Sequence, residues 1–205
     1  VDKARALDIP LVEDNPYGDL RFEGEAPLTL AARNPEGVLY MGSFSKVLAP
    51  GLRLGFVVAP KSVYGKLVQA KQAADLHTPS FNQRVVAEVM KDGFLARHIP
   101  TIRTLYKNQR DAMLAALDQE MVGLGVSWTR PVGGMFLWVQ LPEGMDAQKL
   151  LPLAVERGMA FVPGAPFFPG NPQHNCLRLS YVTVPPAQIA QGIAALAAAI
   201  KAYAQ

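Results

Sequence analysis

The chain is 205 residues long, half of them hydrophobic and 18% charged. That balance supports a substantial buried core and excludes a disordered segment. Its 20 basic and 17 acidic residues leave a formal charge of +3 with no basic run interleaved with aromatics, so no nucleic-acid partner is expected for this segment.

No stretch reaches the roughly 18 uninterrupted apolar residues of a membrane span. The lone Cys176 excludes an internal disulfide and suits a reducing cytoplasm. His77, His98 and His174 lie far apart with no second ligand at metal spacing, so no metal site is expected. The first residue is Val1, and Val1 to Leu7 reads as the end of a helix entering an apolar strand. We therefore expect a piece of a longer protein.

In chain order, Ile9 to Glu13 is a short apolar run closed by the acidic turn Glu13-Asp14-Asn15-Pro16. Val38 to Gly42 is a second, closed by Ser43-Phe44-Ser45-Lys46, and Leu54 to Ala59 is a third, between Gly51 and Pro60. Continuous apolar runs bounded by turn residues predict fully buried strands of an α/β sheet, in which ligands sit beyond the strand ends. Apolar spacing of three and four then predicts helices over Ser62 to Ala74 and Asn82 to Lys91. A long helix follows over Phe94 to Met121, with Pro100 near its start. A second α/β unit is predicted beyond it. Its strands are Val126 to Thr129, Met135 to Leu141, Ala160 to Val162 and Leu177 to Tyr181; its helices are Ala147 to Arg157 and Pro186 to Tyr203. The change of domain is expected between Leu67 and Phe94, dividing the chain into 1–80 and 81–205.

The segment richest in chemistry is Ser43-Phe44-Ser45-Lys46 with Pro50-Gly51-Leu52-Arg53-Leu54-Gly55. A lone lysine is ordinarily a solvated surface amine. At the end of a buried strand it loses hydration and favours its neutral form, the form that attacks an aldehyde. Ser43, Ser45 and Arg53 add donors suited to a phosphate dianion. The spacing is not that of a P-loop.

These residues resemble the class I aminotransferases of fold type I, dependent on pyridoxal 5'-phosphate, and most closely the branch of 2-aminoadipate and kynurenine aminotransferases. The resemblance covers the whole chain, as its C-terminal half only. It rests on Val12-Glu13-Asp14-Asn15-Pro16-Tyr17-Gly18, Gly42 to Lys46, Pro50 to Gly55, Pro131 to Trp138, Pro163 to Phe168 and Leu177-Arg178-Leu179-Ser180, in family order. It implies an α/β fold: part of the large mixed-sheet domain over 1–80, then interdomain helices and the small C-terminal domain over 81–205.

The resemblance also implies roles. Lys46 corresponds to the lysine that carries the cofactor as a Schiff base and later shuttles a proton to C4′. Asp14 corresponds to the partner of the pyridine nitrogen, and Tyr17 to the hydroxyl on the phenolic oxygen. Ser43, Ser45 and Arg53 correspond to the phosphate cup, and Arg178 to the fork that grips the substrate α-carboxylate. Standing alone, Asp14 would read as a turn residue, Tyr17 as a half-buried core residue and Arg178 as an edge-strand solvent contact. Gly133 and Gly134 suit a close approach of backbone to ligand or a simple turn. Phe136 and Trp138 are expected in the core.

The resemblance implies amino acid and 2-oxo acid substrates, a homodimer for the whole protein, and an inactive fragment here. The stacking aromatic, further phosphate donors and an Asn beside the phenolic oxygen lie in the half not contained in these residues. Two alternatives stay open. One is an aminotransferase-like effector domain of a winged-helix (GntR-type) transcription regulator. The other is a related decarboxylase or lyase, which a carboxylate grip by Arg178 disfavours. Leu76-His77-Thr78-Pro79-Ser80 fits the aminoadipate-like branch.

Overall fold

A computed structural model describes Val1 to Tyr203. It contains two compact units, Val1–Ile102 and a second from Arg103 onward, divided within one long helix. The mixed α/β architecture expected from the sequence is present in both.

In the first unit a short helix α1 (Asp2–Ala6) precedes β1 (Leu11–Asp14). Helix α2 (Leu30–Arg33) then leads into β2 (Val38–Ser43), and β3 (Gly55–Val58) closes a sheet of order β1-β2-β3. β1 and β2 are parallel, in a register from Leu11↔Val38 to Asp14↔Met41. β2 and β3 are antiparallel, from Tyr40↔Val58 to Ser43↔Gly55. The α2 start is fixed twice: Thr29 caps it by accepting from Ala32 N, and Glu13 accepts from Ala31 N at 3.0 Å. The second bond ties the crossover to β1.

The expected full burial of these strands is not observed. Val57 and Val58 are 52% and 59% exposed, and β1 alternates half-buried with exposed positions. The apolar runs have the composition of doubly covered strands, but all four residues of β3 are exposed.

Helices α3 (Lys61–Asp75) and α4 (Ser80–Met90) follow, separated by Leu76, whose backbone is left-handed at φ 65°. Asp92 and Gly93, at φ 56° and 70°, break the path before α5 (Phe94–Glu120). The helix runs through Pro100. Its buried face is Gln109, Arg110, Met113, Leu114, Ala116 and Leu117. Leu105, on the same helix, is 53% exposed.

The second unit carries an antiparallel sheet of order β4-β5-β7-β6: β4 (Ser127–Trp128), β5 (Phe136–Gln140), β6 (Val162–Pro163) and β7 (Cys176–Ser180). Helix α6 (Ala147–Val155) is capped by Asp146, which accepts from Gln148 N at 2.7 Å, and packs on α7 (Pro186–Tyr203). Leu137, Val139, Leu177 and Leu179 are fully buried along β5 and β7, as are Leu150 of α6 and Ile193 and Leu196 of α7. No helix among the described residues is long and apolar enough to cross a membrane, and no group of His, Cys, Asp or Glu there could hold a metal ion.

Candidate active site

Parallel pairing sets the first half of the site. Because β1 and β2 run side by side, their C-terminal ends open on the same edge of the sheet, and the bond from Asn15 N to Met41 O continues the pairing past β1. Asp14 ends β1 and Tyr17 lies in the turn beyond it. Ser43 ends β2, with Ser45 and Lys46 in the turn that follows.

That turn is built by its own backbone. Leu48 N and Ala49 N both donate to Phe44 O, Phe44 N donates to Leu54 O, and the Ser43 hydroxyl accepts from Ser45 N at 3.1 Å. The Ser43 hydroxyl proton stays free to donate outward. Val47 and Leu54 are buried and anchor the loop beneath Lys46. The half-buried Lys46 directs its Nζ over the Tyr17 ring, 5.7 Å from the centroid.

Two glycines admit this packing. A Cβ on Gly42 would lie 2.3 Å from the Phe56 ring, and one on Gly55 would lie 2.9 Å from Gly42 O. Phe56 crosses the Gly42 position and its ring sits 5.6 Å from that of Phe44. Asn15 Nδ2 donates to the Tyr40 hydroxyl at 3.3 Å, holding the β1 turn against β2.

Arg53 follows a 3₁₀ turn (Pro50–Leu52) in left-handed backbone at φ 52°, and its Nη1 donates to Pro50 O at 3.2 Å. Asn82 of α4 donates to Leu52 O at 3.1 Å and fixes that turn. Among the described residues the other guanidinium donors of Arg53 meet no partner. One edge of the first sheet therefore gathers Asp14, Tyr17, Ser43, Ser45 and Lys46. Arg53 stands at the far end of the Lys46 loop, just before β3.

Arg178 belongs to the second unit. It lies on β7 opposite Trp138 of β5 and Val162 of β6. Its guanidinium sits 4.1 Å from the Phe136 ring centroid and 4.8 Å from that of Phe167. Phe136 and Trp138 are thus not core residues. Alternation along β5 buries Leu137 and Val139 and leaves Phe136 and Trp138 half-buried on the other face, with Arg178 and Ser180. Phe167 is a contact that sequence reasoning misses. Its neighbour Gly164 gives the signal: Gly164 N donates to Cys176 O at 2.7 Å, and a Cβ there would lie 2.7 Å from the Cys176 Cβ.

The segment leading into β5 is braced from α5 and from the residue that follows β7. The buried Arg110 donates to Pro131 O, and the fully buried Tyr181 donates its hydroxyl to Gly133 O at 3.0 Å. Burial pushes the Tyr181 phenol well above its ordinary pKa, keeping it a neutral donor.

The first unit by itself brings an amine, a carboxylate, a phenol, two hydroxyls and a guanidinium to one sheet edge and its loop. The second unit by itself presents the planar guanidinium of Arg178 beside two aromatic rings.

The chain is 46% identical over 202 residues to aromatic-amino-acid aminotransferase 1 of Thermococcus litoralis, covering 98% of this chain and 48% of that protein. It is 49% identical over 197 residues to 2-aminoadipate transaminase of Thermus thermophilus, covering 93% and 49%. Among solved structures it superposes at a TM-score of 0.93 on alpha-aminoadipate aminotransferase from Thermus thermophilus, complexed with N-(5'-phosphopyridoxyl)-L-leucine. That match has 45% identity and covers 98% of this chain and 52% of the other. A more distant relative is an HTH-type transcriptional regulator of Bacillus subtilis, YisV, at 32% identity over 96% of this chain and 40% of the regulator. The chain thus spans about half the length of the relatives it matches. The family model for aminotransferase class I and II matches residues 1–196, and the chain belongs to that family.

Proposed function

We propose that the protein containing this chain is a pyridoxal-phosphate-dependent aminotransferase, moving an amino group from an amino acid to a 2-oxo acid such as 2-oxoglutarate by ping-pong exchange. The observation that carries the reading is the edge of the first sheet: Lys46 beside the Tyr17 ring, with Asp14 ending the parallel neighbour strand. When bound, pyridoxal phosphate supplies an aldehyde for an amine and a ring that accepts electrons.

The residues present fit such a group. Asp14 would hold a proton on the pyridine nitrogen, and Tyr17 would donate to the phenolic oxygen. Ser43, Ser45 and Arg53 hold the phosphate, with the free Ser43 proton turned to that use. Lys46 would supply the amine that holds the cofactor's aldehyde carbon, and its neutral amine would serve as the base for a proton at the substrate Cα. Arg178 grips the α-carboxylate through two parallel hydrogen bonds. We place the domain boundary of the whole protein at 80/81 and take its state to be a cytoplasmic homodimer. Relatives named for aminoadipate and aromatic amino acids support a donor range within that branch.

A second reading is favoured by the regulator relative: an aminotransferase-like effector domain behind a winged helix. A basic winged helix encoded upstream of Val1 would select it. For the enzyme, borohydride reduction of the full-length protein with cofactor, followed by peptide mapping, places the pyridoxyl label on Lys46. Lys46→Ala abolishes both the label and the yellow colour, and a screen of amino donors against 2-oxoglutarate gives turnover. A label on Lys66 or Lys71 would sink the assignment.

A further inference from the structure

We infer that Phe136 and Phe167 are positioning residues that hold the Arg178 guanidinium flat between them, with only its N–H edge open to a carboxylate. The inference rests on the carboxylate-gripping role proposed for Arg178. The rings approach from opposite sides of β7. Phe136 comes from β5, and Phe167 from the 3₁₀ turn (Ala165–Phe167) that follows β6. The backbone that carries each ring is held by the fold. Phe136 opens a five-residue strand paired along its length to β7. Phe167 is held at its root by the Gly164–Cys176 bond, and at its edge by Trp138, at 5.7 Å in a T-shaped contact.

Arg178 is half-buried, and among the described residues no carboxylate pairs with it. A long side chain with a charged head would ordinarily sample many rotamers there. Two aromatic rings with centroids 4.1 and 4.8 Å from its Cζ restrict that freedom and take the place of water beside it. The N–H groups in the plane keep their capacity for a bidentate bond. A carboxylate then meets a donor pair already oriented and partly dehydrated, so less ordering is required on binding.

Acting through Arg178, the rings recognise what all amino acid and 2-oxo acid substrates share and ignore what distinguishes them. Removing one ring therefore weakens every substrate by the same factor. A ring that instead lined a side-chain pocket would affect large and small donors differently.

The test uses the full-length protein loaded with cofactor. Propionate, a carboxylate that carries no amino group and cannot turn over, is titrated against the cofactor's absorption, and KM is measured for several amino donors. Phe136→Leu and Phe167→Leu each weaken propionate by about three- to tenfold. They raise every KM by that same factor, with kcat within about twofold of the parent. Phe167→Tyr, which keeps the ring face, restores binding. In an Arg178→Ala background, either Phe→Leu change adds nothing further. Effects that vary with the donor side chain, or that persist in Arg178→Ala, overturn the inference while leaving the Arg178 role intact. Unchanged propionate binding in Arg178→Ala alone overturns that role, and the inference with it. Phe167 is 49% exposed, so its substitution leaves the fold standing should Phe136→Leu fail to fold.

Discussion

Arg53 holds a left-handed backbone at φ 52°, a region that costs a non-glycine residue about 1 kcal/mol. Strain of this kind survives where a side chain is needed in place. Arg53→Gly separates the two effects. Folding stability should stay within about 1 kcal/mol of the parent, because lost strain offsets a more flexible unfolded chain. Cofactor affinity should fall by roughly tenfold or more with loss of a charged phosphate contact. Thermal unfolding and cofactor titration read the two separately. At Arg178, truncation to Ala should weaken amino acid binding by about two to three decades, and Lys should recover only part of it, since ammonium lacks the planar fork. Cofactor titration should be unchanged in both variants.

The candidate residues around Lys46 are legible because their chemistry is local in sequence. Phe136 and Phe167 are not. The alternation along β5 is visible, but which of its faces is open depends on β7, some forty residues downstream. A third residue-scale prediction concerns Asp111. Partial burial pushes its carboxyl upward, but the hydrogen bond from Lys107 and the charges of Arg110 and Lys107 outweigh it and hold the group below its usual value. A depressed carboxyl contributes stability above its unfolded pKa and loses it as pH falls through the folded one. Asp111→Asn should therefore be less stable than the parent at neutral pH. The difference should close as pH drops below the ordinary carboxylate range, read as converging unfolding midpoints.

At the scale of elements, the helices are the most legible. The closing helix α7 begins at Pro186 as its sequence predicts and reaches Tyr203, the last described residue, and α5 ends within one residue of expectation. Amphipathic spacing carries that information without reference to partners. Strand existence is legible for the same reason, but strand burial is not, because it depends on what lies above each face. The two-residue strands β4 and β6 are shorter than predicted, and β6 reaches Pro163, one residue past its expected end; their ends are set by pairing partners, not by composition. The β6–β7 edge supports a prediction of its own. Gly164 has an ordinary φ of −80°, so its need is for space rather than conformation. A Cβ there would lie 2.8 Å from Cys176 O and 2.7 Å from the Cys176 Cβ. Gly164→Ala should destabilise the fold by roughly 1–3 kcal/mol in denaturant unfolding, as overpacking against backbone does. A neutral outcome would show that the 163–168 segment shifts freely and does not hold Phe167 in place.

For the whole molecule, the decisive feature is the small sheet of the first unit. β1 and β3 each pair only with β2 among the described residues, so both outer edges carry unpaired backbone groups. Val12, Phe56, Val57 and Val58 are exposed together with the apolar residues Leu7 and Ile9. Uncovered strand edges beside apolar surface are sites for pairing with another chain. The second unit is different: its core from β5 to α7 is fully buried within itself. We therefore expect Val1 to Gln205, expressed alone, to fold through its second unit and to associate through the first. It should fail to turn over amino acids with pyridoxal phosphate added. The cofactor would meet the Asp14, Tyr17 and Lys46 edge with one ring face open to water, where hydrolysis competes with the lysine. A phosphate or sulfate could still bind at Ser43, Ser45 and Arg53, since those donors are local. Size-exclusion chromatography, the visible absorption of the loaded chain and a transamination assay form the test. Expected are oligomers, weak colour and no turnover. Monomeric behaviour with turnover matching a full-length relative would mean that these residues complete the active site unaided, and the incomplete-sheet argument would fail.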